Sequence, residues 1–301
     1  MKPFIDSKEI WDLIGSTVPT VDAVERVIAK SLSKQRLSMQ EVALLVNTTD
    51  PALIQKIKEG ARTLKQIVYG NRIVLFAPLY IGNKCQNNCS YCGFRVTNKD
   101  AERKTLNDQE LINEIQALED SGQKRLVLVF GEHKDYSPEF IAHAVKVAYS
   151  VKRDKGEIRR VNINAAPMEI EGFKVVKEAG IGTYQIFQET YHPEAYKMYH
   201  LGGKKASFEN RLISLDKAQE AGLDDVGIGV LFGLLTGGTK YLPWCDIQAI
   251  LKPVIMLDRI PYHSPESKTL PVWKWAQNIL YRMRILQNWS LSSDWPCPIQ
   301  A

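Results

Sequence analysis

The sequence predicts an α/β fold, a partial (β/α) barrel of the TIM type with about five parallel strands. Short β-rich runs alternate with helical patterns over residues 71–234, which we interpret as the incomplete barrel core. Residues 1–70 read as helices alone and predict an N-terminal helical extension. Residues 235–301 lose this alternation and predict an irregular C-terminal tail. Alternating strands and helices are typical of parallel sheets with right-handed crossovers.

The helical extension carries two helix start signals and no chemical motif. Ser38 and Glu41 have the spacing of a capping box, and Pro51 suits the first turn of the next helix. We expect this region to form a helical extension that packs against the barrel.

Five apolar, β-rich runs predict the strands of the barrel. They are residues 72–81, 125–131, 159–165, 183–190 and 226–233. Helical patterns lie between them, at residues 107–120, 137–153, 168–180 and 207–222. Barrels of this kind carry their chemistry at the carboxyl ends of the strands, so the loop after the first strand is the first place to search.

That loop contains three cysteines at C-x3-C-x2-C spacing, Cys85, Cys89 and Cys92, with Tyr91 directly before the last of them. Thiolates suit zinc and iron–sulfur clusters, and three ligands leave one position of a four-iron cluster open, as a catalytic metal needs. A disulfide framework is the weaker interpretation because the five cysteines are few for 301 residues. A structural zinc site would need a fourth ligand, and no second C-x2-C is present.

Other strand ends place polar groups and glycines at the same edge. Gly131 and Glu132 end the second predicted strand, and Gly227 and Gly229 lie in the fifth. The glycines of the fifth strand have a plain alternative explanation, which is close packing against a neighbouring strand.

Composition excludes several classes of function. The formal charge is only +5 and is not clustered, so we expect no nucleic-acid partner, and Lys204 and Lys205 read as a solvated face. No apolar run approaches the ~20 residues of a membrane helix. The absence of a secretory signal and the free cysteines favour a reduced, cytoplasmic setting.

Residues 3–234 resemble the tyrosine lyases of the radical S-adenosylmethionine (radical SAM) superfamily, which comprise the [FeFe]-hydrogenase maturase HydG type and the thiamine-biosynthesis ThiH type. The segments that carry the resemblance are FAPLYIGNKCQNNCSYCGF, RVNINAAP, GIGTYQIFQETYHPEAY and AGLDDVGIGVLFGL. Their extent favours the HydG type, with the ThiH type as the alternative.

The resemblance implies a role for each matching residue. The three cysteines would bind a [4Fe–4S] cluster whose open iron takes S-adenosylmethionine, and Tyr91 would line that cofactor site. Gly131 and Glu132 would receive the methionyl amino group of S-adenosylmethionine, and Arg211 would pair with its carboxylate. Gly227 and Gly229 would let the backbone approach the adenine.

The resemblance also implies a reaction and partners. One electron, from a donor such as ferredoxin or flavodoxin, splits S-adenosylmethionine to methionine and a 5′-deoxyadenosyl radical. That radical abstracts hydrogen from the substrate tyrosine, whose Cα–Cβ bond breaks to give p-cresol and dehydroglycine. The HydG type converts dehydroglycine to carbon monoxide and cyanide and works with other hydrogenase maturases. The ThiH type uses dehydroglycine for the thiamine thiazole.

The composition changes sharply near Leu235. All 19 glycines lie before residue 239, and five of the six tryptophans lie after residue 240. Back-translation with a shift of one nucleotide gives family-like sequence; residues 258–275 become GPHTISFPRIENPSGLEM. We therefore expect a frameshift near Leu235 and a truncated, inactive chain, in which Cys245 and Cys297 have no inherited role. The alternatives are a non-catalytic iron–sulfur or zinc protein and the unfolded product of a disrupted gene.

Overall fold

The computed structural model of the chain describes residues 7–153, 156–231 and 234. These residues form two compact units, one of residues 7–73 and one that begins at residue 74. The first unit is helical, and the second contains a parallel sheet with its helices. The predicted tail, residues 235–301, lies outside the described residues, and the predicted domain boundaries at residues 70 and 234 stay predictions.

The first unit contains four helices, α1 Ser7–Ser16, α2 Val21–Leu32, α3 Met39–Val46 and α4 Pro51–Tyr69. The predicted capping box is confirmed. The Ser38 hydroxyl accepts a hydrogen bond from the Glu41 backbone at 3.2 Å, and the Glu41 carboxylate accepts one from the Ser38 backbone at 2.6 Å. Pro51 lies in the first turn of α4, as predicted. Buried side chains of α1, α2 and α3 form one core, which includes Ile10, Ile14, Val27, Val42, Ala43 and Val46.

The second unit confirms the predicted fold class. Its strands are β1 Ala77–Gly82, β2 Arg125–Phe130, β3 Lys152–Arg153, β4 Gly156–Glu157, β5 Arg160–Asn164, β6 Tyr184–Gln185 and β7 Val226–Gly227. Five of them form a parallel sheet in the order β1-β2-β5-β6-β7, and each corresponds to one predicted run. The short antiparallel pair of β3 and β4 was not predicted.

Helices connect the strands. They are α5 Asp108–Asp120, α6 Pro138–Ser150, α7 Ile170–Glu178, α8 Pro193–Tyr199, α9 Phe208–Leu212 and α10 Ser214–Glu220, with a 3-10 turn at Lys204–Ala206. Parallel strands joined this way present their carboxyl ends at one edge of the sheet. The three cysteines follow the end of β1 and therefore lie at that edge, as predicted.

All five predicted runs are longer than the observed strands, three of them by several residues. β1 begins at Ala77, whose partner is Leu126; the preceding residues lack a partner on β2, and the side chains of Ile73 and Leu75 are 79% and 69% exposed. β6 ends at Gln185, although the apolar pattern continues to residue 190, and Glu189 has a positive φ of 65° that interrupts extended backbone. β7 has two residues, so Gly229 lies beyond it.

Candidate metal centre and cofactor site

The cysteine loop, residues 83–98, leaves the end of β1 and carries three free thiols. Cys89 is 4% exposed, whereas Cys85 and Cys92 are partly exposed. Burial raises the pKa of the Cys89 thiol to about 11, the positive charge of Lys205 opposes that rise, and the other two thiols add to it. The three sulfurs are thus close enough to influence one another electrostatically.

The loop crosses the end of β2 in backbone contact. The Gly131 N–H donates to the Gly82 carbonyl at 2.9 Å, and the Gln86 N–H donates to the Glu132 carbonyl at 2.8 Å. A Cβ on Gly131 would lie 2.1 Å from the Lys84 carbonyl oxygen. Only glycine therefore allows the loop to pass this strand end, which explains the glycine of the predicted Gly131–Glu132 element.

Asn87, inside the cysteine motif, joins two distant parts of the chain. Its side chain is 2% exposed. The amide Nδ2 donates to the Glu132 carboxylate at 2.7 Å, and Oδ1 accepts from the Lys205 backbone N–H at 2.9 Å. The carboxylate of Glu132, itself 9% exposed, is therefore oriented by the cysteine loop.

The segment after α8 pairs with the middle of the loop. The Asn88 N–H donates to Gly202 and the Leu201 N–H donates to Asn88, both at 3.0 Å. Gly203 has φ +83°, and a Cβ there would lie 2.3 Å from Oδ1 of Asn87. Because an ordinary side chain meets both strain and a clash at this position, the glycine is required for the approach.

Tyr91 is held by a hydrogen-bonded relay. His200 Nδ1 donates to the Tyr196 carbonyl at 2.7 Å, so its Nε2 is free to accept from the Tyr91 hydroxyl at 2.8 Å. Burial lowers the pKa of His200 to about 4, although the hydrogen bond to Tyr196 opposes that shift. The imidazole is therefore neutral at pH 7, and the Tyr91 ring has a fixed orientation. No sequence pattern indicates this contact, because the two residues lie 109 positions apart.

The expectation that Lys205 is part of a solvated face is wrong. Its ammonium forms a 2.8 Å ion pair with Glu189, and the two side chains are only 12% and 14% exposed. The same ammonium lies 5.7 Å from the centre of the Tyr91 ring, within the range of a cation–π contact. The sequence alone does not distinguish exposed Lys204 from partly buried Lys205, because the two lysines are adjacent and identical.

Arg211, on α9, is a buried cation. Its side chain is 9% exposed, and Nε donates to the Phe187 carbonyl at 2.7 Å. Among the residues that the structure describes, Arg211 forms no ion pair, and neither does Glu132. Both influence the pKa of Tyr184, Arg211 by lowering it and Glu132 by raising it, so the two charges lie in the same region.

Gly227, at the end of β7, and Gly229, two residues beyond it, lie close to side chains of the segment that follows Tyr184. A Cβ on Gly227 would lie 2.8 Å from Cγ of Gln185, and one on Gly229 would lie 2.5 Å from the ring of Phe187. This geometry favours close packing as the reason for both glycines. The predicted approach of adenine stays a prediction.

The residues of the cysteine loop offer the donor atoms of an iron–sulfur cluster. Among the described residues, no three His, Cys, Asp or Glu side chains converge as they would around one metal ion. A four-iron cube holds its ligands further apart than one ion does, and its usual ligands are cysteine thiolates. Three free cysteine thiols on one loop match this ligand type.

The parallel sheet and the three-thiol loop at its carboxyl edge define the class of partial α/β barrels that carry an iron–sulfur cluster. Residues 79–240 match the Radical SAM superfamily, and the chain belongs to this superfamily. Its members use a [4Fe–4S] cluster and S-adenosylmethionine, which confirms the predicted cofactors for the family.

In the described part of the chain, no helix is both long and apolar enough to cross a membrane.

Comparison with known proteins shows which members of the superfamily the chain resembles. The chain is 32% identical over 241 residues to the 2-iminoacetate synthase of Salmonella typhimurium, covering 78% of this chain and 60% of that protein. It superposes on the [FeFe]-hydrogenase maturase HydG with a TM-score of 0.79 at 37% identity, covering 85% of this chain and 54% of that one. Methylornithine synthase (TM-score 0.63, 20% identity) shares the fold. The predicted likeness to the HydG and ThiH types is confirmed, and the chain spans little more than half of these relatives.

Proposed function

We propose that the chain is a radical SAM enzyme whose cluster is held by Cys85, Cys89 and Cys92. The observation that carries this proposal is a buried carboxylate and a buried guanidinium, Glu132 and Arg211, that lack counter-ions among the described residues. Buried charges are normally paired. The methionyl end of S-adenosylmethionine carries one ammonium and one carboxylate, which complement these two charges.

Each residue of the site then has a separate task. The planar fork of Arg211 suits a carboxylate, which it can bind through two parallel hydrogen bonds. Asn87 orients Glu132 toward the ammonium, and Gly131 lets the strand end lie against the loop. Tyr91 offers an oriented ring to the bound cofactor. A [4Fe–4S] cluster held by the three cysteines would supply, once reduced, the electron for reductive cleavage of S-adenosylmethionine.

We infer that the substrate is tyrosine and that its Cα–Cβ bond breaks to p-cresol and dehydroglycine. The likeness to 2-iminoacetate synthase and to HydG supports this reaction. HydG-type synthesis of carbon monoxide and cyanide, with ferredoxin or flavodoxin as donor and other hydrogenase maturases as partners, is the first candidate, supported by the superposition on HydG at a TM-score of 0.79 and 37% identity. A ThiH-type role in thiamine thiazole synthesis is the second.

The cluster is tested by anaerobic reconstitution followed by iron analysis and electron paramagnetic resonance (EPR). We expect about four irons per chain, and we expect Cys89→Ala to lose them. Cys245→Ala is the matched control because it lies outside the motif, and it should keep the full iron content. Full iron in Cys89→Ala would refute the ligand assignment. A reduced cluster whose EPR signal does not respond to S-adenosylmethionine would favour the non-catalytic iron–sulfur protein.

The reaction is tested by product analysis with tyrosine, S-adenosylmethionine and a reductant. We propose that this 301-residue chain is inactive and that a gene corrected by one nucleotide near Leu235 yields p-cresol. Cyanide formed beside p-cresol would identify the HydG type, and p-cresol without cyanide the ThiH type. Release of p-cresol by the uncorrected chain at a comparable rate would refute the frameshift.

A further inference from the structure

We propose that Arg103 is a positioning residue that closes the cysteine loop and holds the three thiols at cluster spacing before any cluster binds. The inference rests on the proposed cluster role of these cysteines and assigns a task to a residue outside the motif.

One guanidinium binds four backbone carbonyls of the loop. Nη1 of Arg103 donates to the carbonyls of Asn83 and Phe94, at 2.9 and 3.0 Å. Nη2 donates to the carbonyls of Arg95 and Asn98, at 2.8 and 3.1 Å. Asn83 precedes the first cysteine of the motif, and the other three acceptors follow the last. A single side chain therefore ties the entry of the loop to its exit.

The backbone around Arg103 is itself fixed against the loop entry. The Asn83 N–H donates to the Lys104 carbonyl at 3.1 Å, and Oδ1 of Asn83 accepts from the Lys104 N–H at 2.8 Å. Nδ2 of Asn83 donates to the Glu102 carbonyl at 2.7 Å. Arg103 lies between these two contacts, so its backbone is held beside the loop entry by bonds other than those of its own side chain.

The four acceptors require a guanidinium. Its N–H groups lie in one plane and point in fixed directions, so two nitrogens can bind four carbonyls at once, whereas the single nitrogen of a lysine has three donors on one point. Fixing both ends of a loop also restricts the conformations of the residues between them. The thiols are then held near their binding positions, and less ordering remains when the cluster forms.

The first test uses the full chain without a cluster. Amide hydrogen exchange of residues 84–98 is compared in the wild type, Arg103→Ala, Arg103→Lys and the control Lys99→Ala, which removes an exposed charge from the neighbouring segment. We expect exchange in this loop to rise about tenfold or more in both Arg103 variants. Exchange on β2 and α6 should not change, and Lys99→Ala should match the wild type. Unchanged loop exchange in Arg103→Ala would overturn the proposal.

The second test measures cluster binding. After reconstitution, both Arg103 variants should lose iron to a chelator faster than the wild type and Lys99→Ala do. Guanidinium ion at a low, non-denaturing concentration should restore retention in Arg103→Ala, whereas potassium chloride at equal ionic strength should not. A general loss of folding would not respond to guanidinium, so failed rescue overturns the proposal. A wild type that binds no iron would overturn the cluster assignment as well, whereas iron-replete variants with normal retention would overturn only the role of Arg103.

Discussion

Replacing Arg211 with methionine separates the binding of S-adenosylmethionine from the stability of the protein. Methionine has a similar length and no charge, so the change removes the guanidinium with little change of packing. If the guanidinium receives the carboxylate of S-adenosylmethionine, the affinity for that cofactor should fall. The same change should affect the stability of the free protein very little.

The magnitude follows from the contacts of Arg211. Loss of a hydrogen bond to a charged ligand costs about 1.5–3 kcal/mol, which raises the dissociation constant about 10- to 150-fold. In the free protein, Arg211→Met removes the hydrogen bond from Nε to the Phe187 carbonyl, and this loss lowers the stability of the protein. The same substitution removes a buried cation that has no ion pair among the described residues, and this removal raises the stability of the protein. These two effects oppose each other.

The assay is titration of the reconstituted protein with S-adenosylmethionine, followed by EPR, with thermal unfolding in parallel. Arg211→Lys should fall between the wild type and Arg211→Met because it keeps the charge and loses the fork. Arg125→Met is the matched control, since Arg125 is exposed at the opposite end of β2. Wild-type affinity in Arg211→Met, or an equal loss in Arg125→Met, would refute the placement of the carboxylate.

Three further predictions concern single contacts. Tyr91→Phe should weaken S-adenosylmethionine binding by about 0.5–1.5 kcal/mol because it removes the donor to His200, and adding His200→Ala should lower the affinity little further; additive losses would contradict the relay. Gly203→Ala should lower the free energy of unfolding by at least about 1–3 kcal/mol, measured in urea, whereas Gly202→Ala, whose Cβ would meet its nearest atom at 3.8 Å, should be tolerated. Burial alone would raise the pKa of Glu41, but hydrogen bonds from a lysine of α2 and from the capping box hold it below its ordinary value of 4.5. The resulting stability is present above pH 4.5 and is lost as the pH falls through the lower folded pKa. Glu41→Gln should therefore lose less stability on acidification, and equal pH slopes would count against this reasoning.

The strand pattern identified every strand of the parallel sheet but not where pairing stops. Residues 72–76 are as apolar as the strand that follows them, so periodicity alone extends the strand through them. These residues are exposed, and pairing with β2 begins only at Ala77. Backbone pairing therefore decides where β1 starts. The apolar pattern after β6 fails for a different reason. There the strand has already ended at Gln185, and Glu189, further along, adopts a positive φ and pairs its carboxylate with Lys205.

The cysteine motif identified the candidate metal site because its spacing is local in the sequence. The residues that hold the motif in shape are not local. Asn87 contacts Lys205 across 118 residues, and Tyr91 contacts His200 across 109. No periodicity connects such positions, so only the folded chain shows them. Arg103 is nearer in sequence, yet its four acceptors are backbone carbonyls, which leave no trace in the residue pattern.

The polar groups around the cysteine loop differ in whether their partners lie within the protein, and this difference supports the proposed placement of S-adenosylmethionine. The amide of Asn87 has partners at both of its atoms, the imidazole of His200 at both nitrogens, and Lys205 is paired with Glu189. These groups hold the shape of the site and have little capacity left for a ligand. Glu132 and Arg211 are equally buried but have no opposite charge among the described residues. Because an isolated buried charge is unfavourable, these two side chains are where a zwitterionic ligand gains the most from binding.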